Sequence, residues 1–257
     1  MTMKLLQTQK SLIFAAVAAS LFASSSNAAI TVLGNSSAYT SGSGSDNQPH
    51  TLSYDPGVSS TAIVVAVAME SNGSPVSVTF DGDALTPVLA ASGSNVGLYY
   101  LNNPTTGSAS NLVFDYTGVS TVNFIGFQAV SLQASGLIED TATATDTDLD
   151  LTLSVLGADS FVMAGYNFND GSGATTIGAN APLSPLFGGF INSGGAAFGY
   201  AEAVASGNQN YSFSLGGAGS PSQRRITAAS FEVIPEPGSA ALIGLGGLLA
   251  MLRRRRS

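Results

Sequence analysis

Between residues 29 and 233 the apolar positions come in short runs rich in Val, Ile, Phe, Tyr and Thr, separated by Gly, Asn, Asp and Ser. No 3.6-residue period is sustained over that stretch, so the pattern predicts strands. Candidate strands lie at 50–54, 61–69, 76–80, 96–101, 112–116 and 122–133, and again at 150–155, 160–167, 197–201, 211–215 and 225–233. Asn72-Gly73 and Asp81-Gly82 read as hairpin turns, because both central residues of a type I′ turn need positive φ.

The two sets of strands overlay at an offset of 98 to 100 residues. Ile63-Val64-Val65-Ala66 falls on Phe161-Val162-Met163-Ala164, and Leu98-Tyr99-Tyr100 falls on Phe198-Gly199-Tyr200. Phe114 falls on Phe213, and Ala129-Val130-Ser131-Leu132 on Ala228-Ala229-Ser230-Phe231. The expectation is an all-β fold: a single jelly-roll-like β-sandwich of about 10–12 strands over residues 29–233, with an internal repeat of 50–133 and 150–233. A half of about 100 glycine-rich residues would bury little core alone, which favours one sandwich over two small domains.

The first half, written as IVVAV, VTFDGDAL, GLYYLNNPTTG, LVFDY and FQAVSLQASG, resembles a bacterial extracellular β-sandwich module. Tyr99 stands where that module usually has Trp, and Thr105 where it has a second Pro. The resemblance implies a fold and a secreted setting, and no agreed function.

The two ends read as addresses. Lys4 and Lys10 form a basic region, 11–22 is an apolar stretch of secretory length, and Ser26-Asn27-Ala28 supplies small residues before a cut. Residues 1–28 are therefore expected to be a signal peptide, removed by signal peptidase between Ala28 and Ala29. At the other end, residues 238–252 carry no charge and Arg253, Arg254, Arg255 and Arg256 follow. As a helix that run is roughly 22 Å long at about 1.5 Å per residue, short of a hydrocarbon core of about 30 Å. Arginine side chains can snorkel across part of the shortfall and hold the end in the cytoplasm. Domain outside and tail inside is the one topology both ends agree on.

Pro235 and Pro237 break regular structure before that run, leaving Pro235-Glu236-Pro237 extended and accessible. Pro-Glu-Pro, a short Gly/Ala/Leu helix and a terminal arginine cluster resemble the PEP-CTERM sorting signal, here residues 234–257. The resemblance implies an exosortase as partner. That membrane-embedded, transpeptidase-like enzyme of Gram-negative bacteria removes the helix and passes the protein to the cell surface or matrix, often beside exopolysaccharide synthesis. The plainer alternative is a permanent single-span anchor, for which Gly238, Gly244, Gly246 and Gly247 are poor choices.

Charge sharpens the picture. Between residues 29 and 237 only Arg224 and Arg225 are basic, against all sixteen acids, a net charge of about −14. Such a surface repels phosphate backbones and excludes nucleic acid as a partner. It suits solubility, cations or neutral polysaccharide. The absence of Cys removes disulfides, thiol chemistry and Cys-based zinc sites.

Catalytic templates are scarce. His50 is the single histidine, which rules out two-histidine mechanisms and HExxH zinc sites; after Pro49 it reads as a strand-start residue. No G-x-S-x-G elbow occurs. A glycoside hydrolase needs only two facing carboxylates, and sixteen acids leave that route open. Asp146, Asp148 and Asp150 alternate in TATATDTDLDLTL, which aligns three carboxylates on one strand face. They read either as the solvated face of an edge strand or as calcium ligands. Tyr99, Tyr100, Tyr116, Tyr166 and Tyr200 are candidates for a sugar-stacking platform, each within or beside a strand. The expectation is a secreted, non-enzymatic protein of the surface or matrix, with a carbohydrate-binding module as the alternative and calcium as the only cofactor suggested.

Overall fold

Residues 62–69, Ala-Ile-Val-Val-Ala-Val-Ala-Met, are apolar at every position, which a strand tolerates only with both faces covered. In the computed structural model these residues belong to β4 (Ala62–Ser71), and both faces are covered. Ile63, Val65, Val67 and Met69 face one core, while Ala62, Val64, Ala66 and Ala68 face another. The structure describes residues 29–41, 48–71, 74–90, 96–118, 122–133, 135–145, 149–169, 174–191, 194–217 and 222–233. Every regular element among them is a strand.

The first half supplies β1 (Thr31–Asn35), β2 (Tyr39–Ser41), β3 (His50–Tyr54), β5 (Ser77–Phe80), β6 (Asp83–Ala84), β7 (Thr86–Leu89), β8 (Val96–Asn102), β9 (Ser110–Asp115) and β10 (Val122–Gln133) around β4. One sheet runs β1-β10-β4-β8-β7, with β2 also on β10; the other runs β3-β9-β5-β6. The second half supplies β11 (Ser135–Thr145), β12 (Asp150–Val155), β13 (Ser160–Asn169), β14 (Ala174–Ala179), β15 (Ser184–Ile191), β16 (Gly194–Val204), β17 (Gly207–Gly217) and β18 (Ser222–Val233). Its sheets run β11-β18-β13-β16-β15 and β12-β17-β14.

The strand orders of the two halves correspond, except that β2 and β6 have no counterpart in the second half. Even the irregularities repeat. A bulge between Val32 and Gly34 on β1 recurs between Ile138 and Asp140 on β11. Another between Pro87 and Leu89 on β7 recurs between Pro185 and Phe187 on β15. The ladders also fix the repeat offset at β4 and β13. Val65 lies beside Ala129 and Tyr99, and Ala164 lies beside Ala228 and Gly199. The equivalence is therefore 99 residues, one more than the match of Ile63 to Phe161 suggests. Strand faces alternate residue by residue, so the 98-residue alignment would place core positions on the opposite face.

The layering is finer than a two-sheet sandwich of 10–12 strands. Each half closes its own sandwich, one around Phe80, Phe114, Tyr116 and Phe127, the other around Tyr166, Phe168, Tyr211 and Phe213. The two larger sheets then pack on each other through a third apolar layer, which includes Leu98, Val130, Leu132, Phe161, Met163, Phe198 and Phe231. Burying each such large side chain contributes about 1.5–3 kcal/mol. That shared layer is how glycine-rich halves of modest size gain enough core. The stretch 135–145, which holds none of the candidate strands, is β11, the counterpart of β1.

The Asp81-Gly82 turn has both φ values positive, 53° and 87°, and joins β5 to β6 as a type I′ turn requires. Asn72-Gly73 lies outside the described residues.

Candidate functional site

His50 opens β3 with its ring enclosed, 2% exposed. Its Nδ1 lies 3.0 Å from the Tyr39 hydroxyl. The Tyr39 and Tyr116 rings stand edge-on to it at 5.6 and 6.0 Å. A substrate cannot reach an imidazole so placed without displacing β2. Its neighbours are those of a packed aromatic corner.

Of the three aligned aspartates, Asp150 is the first residue of β12, exposed and opposite Ser212. Asp146 and Asp148 lie outside the described residues. Among the described residues no three acids or histidines converge as a metal site would require. β12 is an edge strand whose apolar side chains, Leu151, Leu153 and Val155, point inward.

The tyrosines divide as strand alternation demands. Tyr99 is buried within the first half, edge-on to Phe114 at 5.6 Å, while Tyr100 faces the central layer against Phe231 at 5.5 Å. Tyr116 and Tyr166 are fully buried, and Tyr200 is half-buried beside Phe161. Among the described residues the one exposed large aromatic is Phe190. The outward faces of the two outer sheets instead present short polar groups: Thr51, Ser53, Asn111 and Thr79 on one, Thr152, Asn208, Asn210 and Ser214 on the other.

The end of the domain from which the chain continues into the C-terminal segment is better defined. The last strand ends at Val233, whose ladder partner is Ser135. Ser135 follows β10 by one residue, and Gln133 pairs with Thr31 at the start of β1. Ile30, just after the expected cut at Ala28–Ala29, is buried in the central layer, whereas Ala29 is exposed. Both ends of the domain therefore converge on one end of the ladders.

Two equivalent turns sit there as well. The β3–β4 turn closes against β10: Thr61 N–H donates to the Leu132 carbonyl at 2.8 Å, and Gly57 N–H donates to Asp55 Oδ1 at 2.9 Å. The β12–β13 turn precedes Phe161, which pairs with Phe231 two residues before the exit, and Ser160 Oγ donates to the Gly157 carbonyl at 3.0 Å. Their tips carry Val58 and Leu156, 80% and 70% exposed.

A protein-family comparison identifies the segment that leaves this end. Residues 233–256 match the PEP-CTERM protein-sorting motif. The C-terminal segment is a PEP-CTERM sorting signal. The motif implies export, membrane anchoring through the C-terminus and processing by an exosortase. It begins on Val233, the last residue of β18, so no linker separates the folded domain from the sorting signal. Pro235, Glu236 and Pro237 and the arginines 253–256 fall within the match, outside the described residues. Among the described residues no helix is long and apolar enough to cross a membrane.

No curated protein matches the chain. Solved structures similar to it include the major capsid protein P2 from bacteriophage PM2, at 9% identity over 80% of this chain and 100% of that one, with a TM-score of 0.25. The PBSX exported protein XepA is similar at 10% identity over 79% of this chain and 87% of that one, with a TM-score of 0.23. At those scores neither carries a structural or functional argument.

Proposed function

We propose that the mature product is a secreted, non-enzymatic β-sandwich protein. On this reading an exosortase delivers it to the cell surface or extracellular matrix, where it serves as a structural component associated with exopolysaccharide. The observation that carries this reading is the sorting motif that starts on the last strand residue, which makes the whole folded domain the cargo. Two outer faces of short hydroxyl and amide groups support contact with hydrated polymer. The enclosed His50 supports the absence of acid–base chemistry there. Asp81 and Asp83 share one exposed hairpin turn, a placement unlike two carboxylates facing each other across a hydrolase cleft.

A carbohydrate-binding module is the second reading. A shallow open groove over Thr79, Asp81, Ser110, Asn111 and Val113 favours it, with hydroxyl, amide and carboxylate groups available to a neutral sugar. A glycan array on the purified domain separates the two: binding of one defined oligosaccharide selects the module. Mass spectrometry of the mature protein tests the sorting. The expected product begins near Ala29 and lacks residues 238–257; an intact apolar tail on surface material would overturn exosortase release.

A further inference from the structure

We propose that, while the C-terminal segment is in the inner membrane, Val58 and Leu156 dock this end of the domain onto the outer leaflet of the same bilayer and hold the sandwiches upright. The proposal rests on the sorting-signal reading and adds an interaction surface to it.

The ladders place four features at one end. Ser135 pairs with Val233, where the chain leaves for the sorting signal. Gln133, two residues earlier, pairs with Thr31, and Leu132 accepts a hydrogen bond from Thr61 at the foot of the Val58 turn. Phe161, directly after the Leu156 turn, pairs with Phe231, two residues before Val233. The uncharged run begins at Gly238, five residues past Val233. A fully extended chain gains at most about 3.6 Å per residue, so the end of β18 stays within about 18 Å of that run. This is less than the thickness of the domain's own sheets along their strands. The end carrying Val58 and Leu156 is thus the end brought to the interface.

These two residues are suited to that position. They are the most exposed large apolar side chains among the described residues, and they occupy equivalent turns of the two halves. A single exposed valine has no meaning alone. Two large apolar residues on equivalent turns, beside the membrane attachment, make a two-point footing. The acids nearby, Asp55, Asp159, Glu202 and Glu232, make attraction to anionic lipid unfavourable, so docking is by apolar insertion and belongs on zwitterionic headgroups. Val76, 67% exposed, sits at the opposite end, just before β5 and after the end of β4, and serves as the internal control.

The chain has no tryptophan, so each introduced indole reports alone. Val58→Trp, Leu156→Trp and Val76→Trp, each with the C-terminal signal intact, are reconstituted with phosphatidylcholine vesicles containing brominated acyl chains and recovered by flotation. The expected result is that all three float, while the indoles at 58 and 156 are blue-shifted and quenched several-fold more than the one at 76. Flotation with equal quenching at all three positions would overturn the docking and leave membrane insertion of the tail standing. Failure to float would overturn both.

Discussion

Asn167 Nδ2 donates a hydrogen bond of 3.0 Å to the carbonyl oxygen of Met69. The two residues are buried and lie on central strands of opposite halves, β13 and β4. Met69 lies one residue beyond the end of the β4–β8 ladder, where Ala68 pairs with Val96. Asn167 thus bonds a side chain of one half to the backbone of the other. Asn167→Leu should destabilise the domain by about 1–3 kcal/mol, the cost of leaving a buried carbonyl without its donor. Urea unfolding checks this, with a lowered midpoint and an unchanged m-value expected.

Gly165 is required by the same contact layer. A Cβ at that position would lie 2.5 Å from Val96 Cγ1 and 3.2 Å from Phe198 Cδ1. Gly165→Ala should cost about 1–3 kcal/mol through overpacking between the halves. Adding Val96→Ala should recover part of that loss. Additive losses in the double variant would show that the two residues do not compete for one space.

The last strand sets how short the chain can be. Phe231 is fully buried, 5.9 Å from the Phe161 ring and 5.5 Å from Tyr100. A chain of residues 29–233 should unfold at the same urea concentration as one of residues 29–237. Phe231→Ala in either should cost about 3–5 kcal/mol. A large loss on removing 234–237 alone would show that the sorting segment contributes to the fold.

Buried tyrosines make the domain sensitive to alkali. Burial pushes Tyr54, Tyr166 and Tyr211 up to about 12, and Tyr116 is also raised by burial. The Tyr166 and Tyr211 hydroxyls have no hydrogen-bond partner among the described residues. The unfolded chain releases its phenolic protons near pH 10 while the folded chain holds them, so the folded state binds more protons between about pH 10 and 12. Stability from these groups is fully present below about pH 10 and is lost as pH rises through 12. Tyrosinate absorbance should rise together with unfolding in that window. Titration of all eight tyrosines near pH 10 in a folded protein would contradict it.

Asp150 is exposed on an edge strand, where charge discourages pairing with another sheet. On that reading calcium contributes nothing, and thermal midpoints with and without chelator should coincide. A midpoint lowered by chelator would instead assign Asp146, Asp148 and Asp150 to a structural ion.

Strands whose apolar residues recur strongly are legible in the sequence, and so is the Asp81-Gly82 turn. The strands without a sequence signal, β1, β2, β6, β7, β11, β14 and β15, are short, exposed or glycine-bearing, and most lie at a sheet edge. Leu85 and Leu183 mark one missed correspondence: ALTPVL at 84–89 and PLSPLF at 182–187 share pattern and place, and both leucines are buried. The convergence of the Val58 and Leu156 turns on Val233 has no signal in the sequence. It depends on backbone pairings between residues about 70 to 100 positions apart.

The all-β class, the doubled strand pattern and the C-terminal sorting motif are all readable along the chain. Each is local: alternation, turn dipeptides and a contiguous motif are properties of neighbouring residues. That the two halves close separate sandwiches and share a third apolar layer emerges from packing in three dimensions. Composition alone does not say which covering a strand apolar on both faces receives. In β4 the alternate residues Val65 and Val64 have the same chemistry, and only the packing sends one into its own half and the other against the neighbouring half.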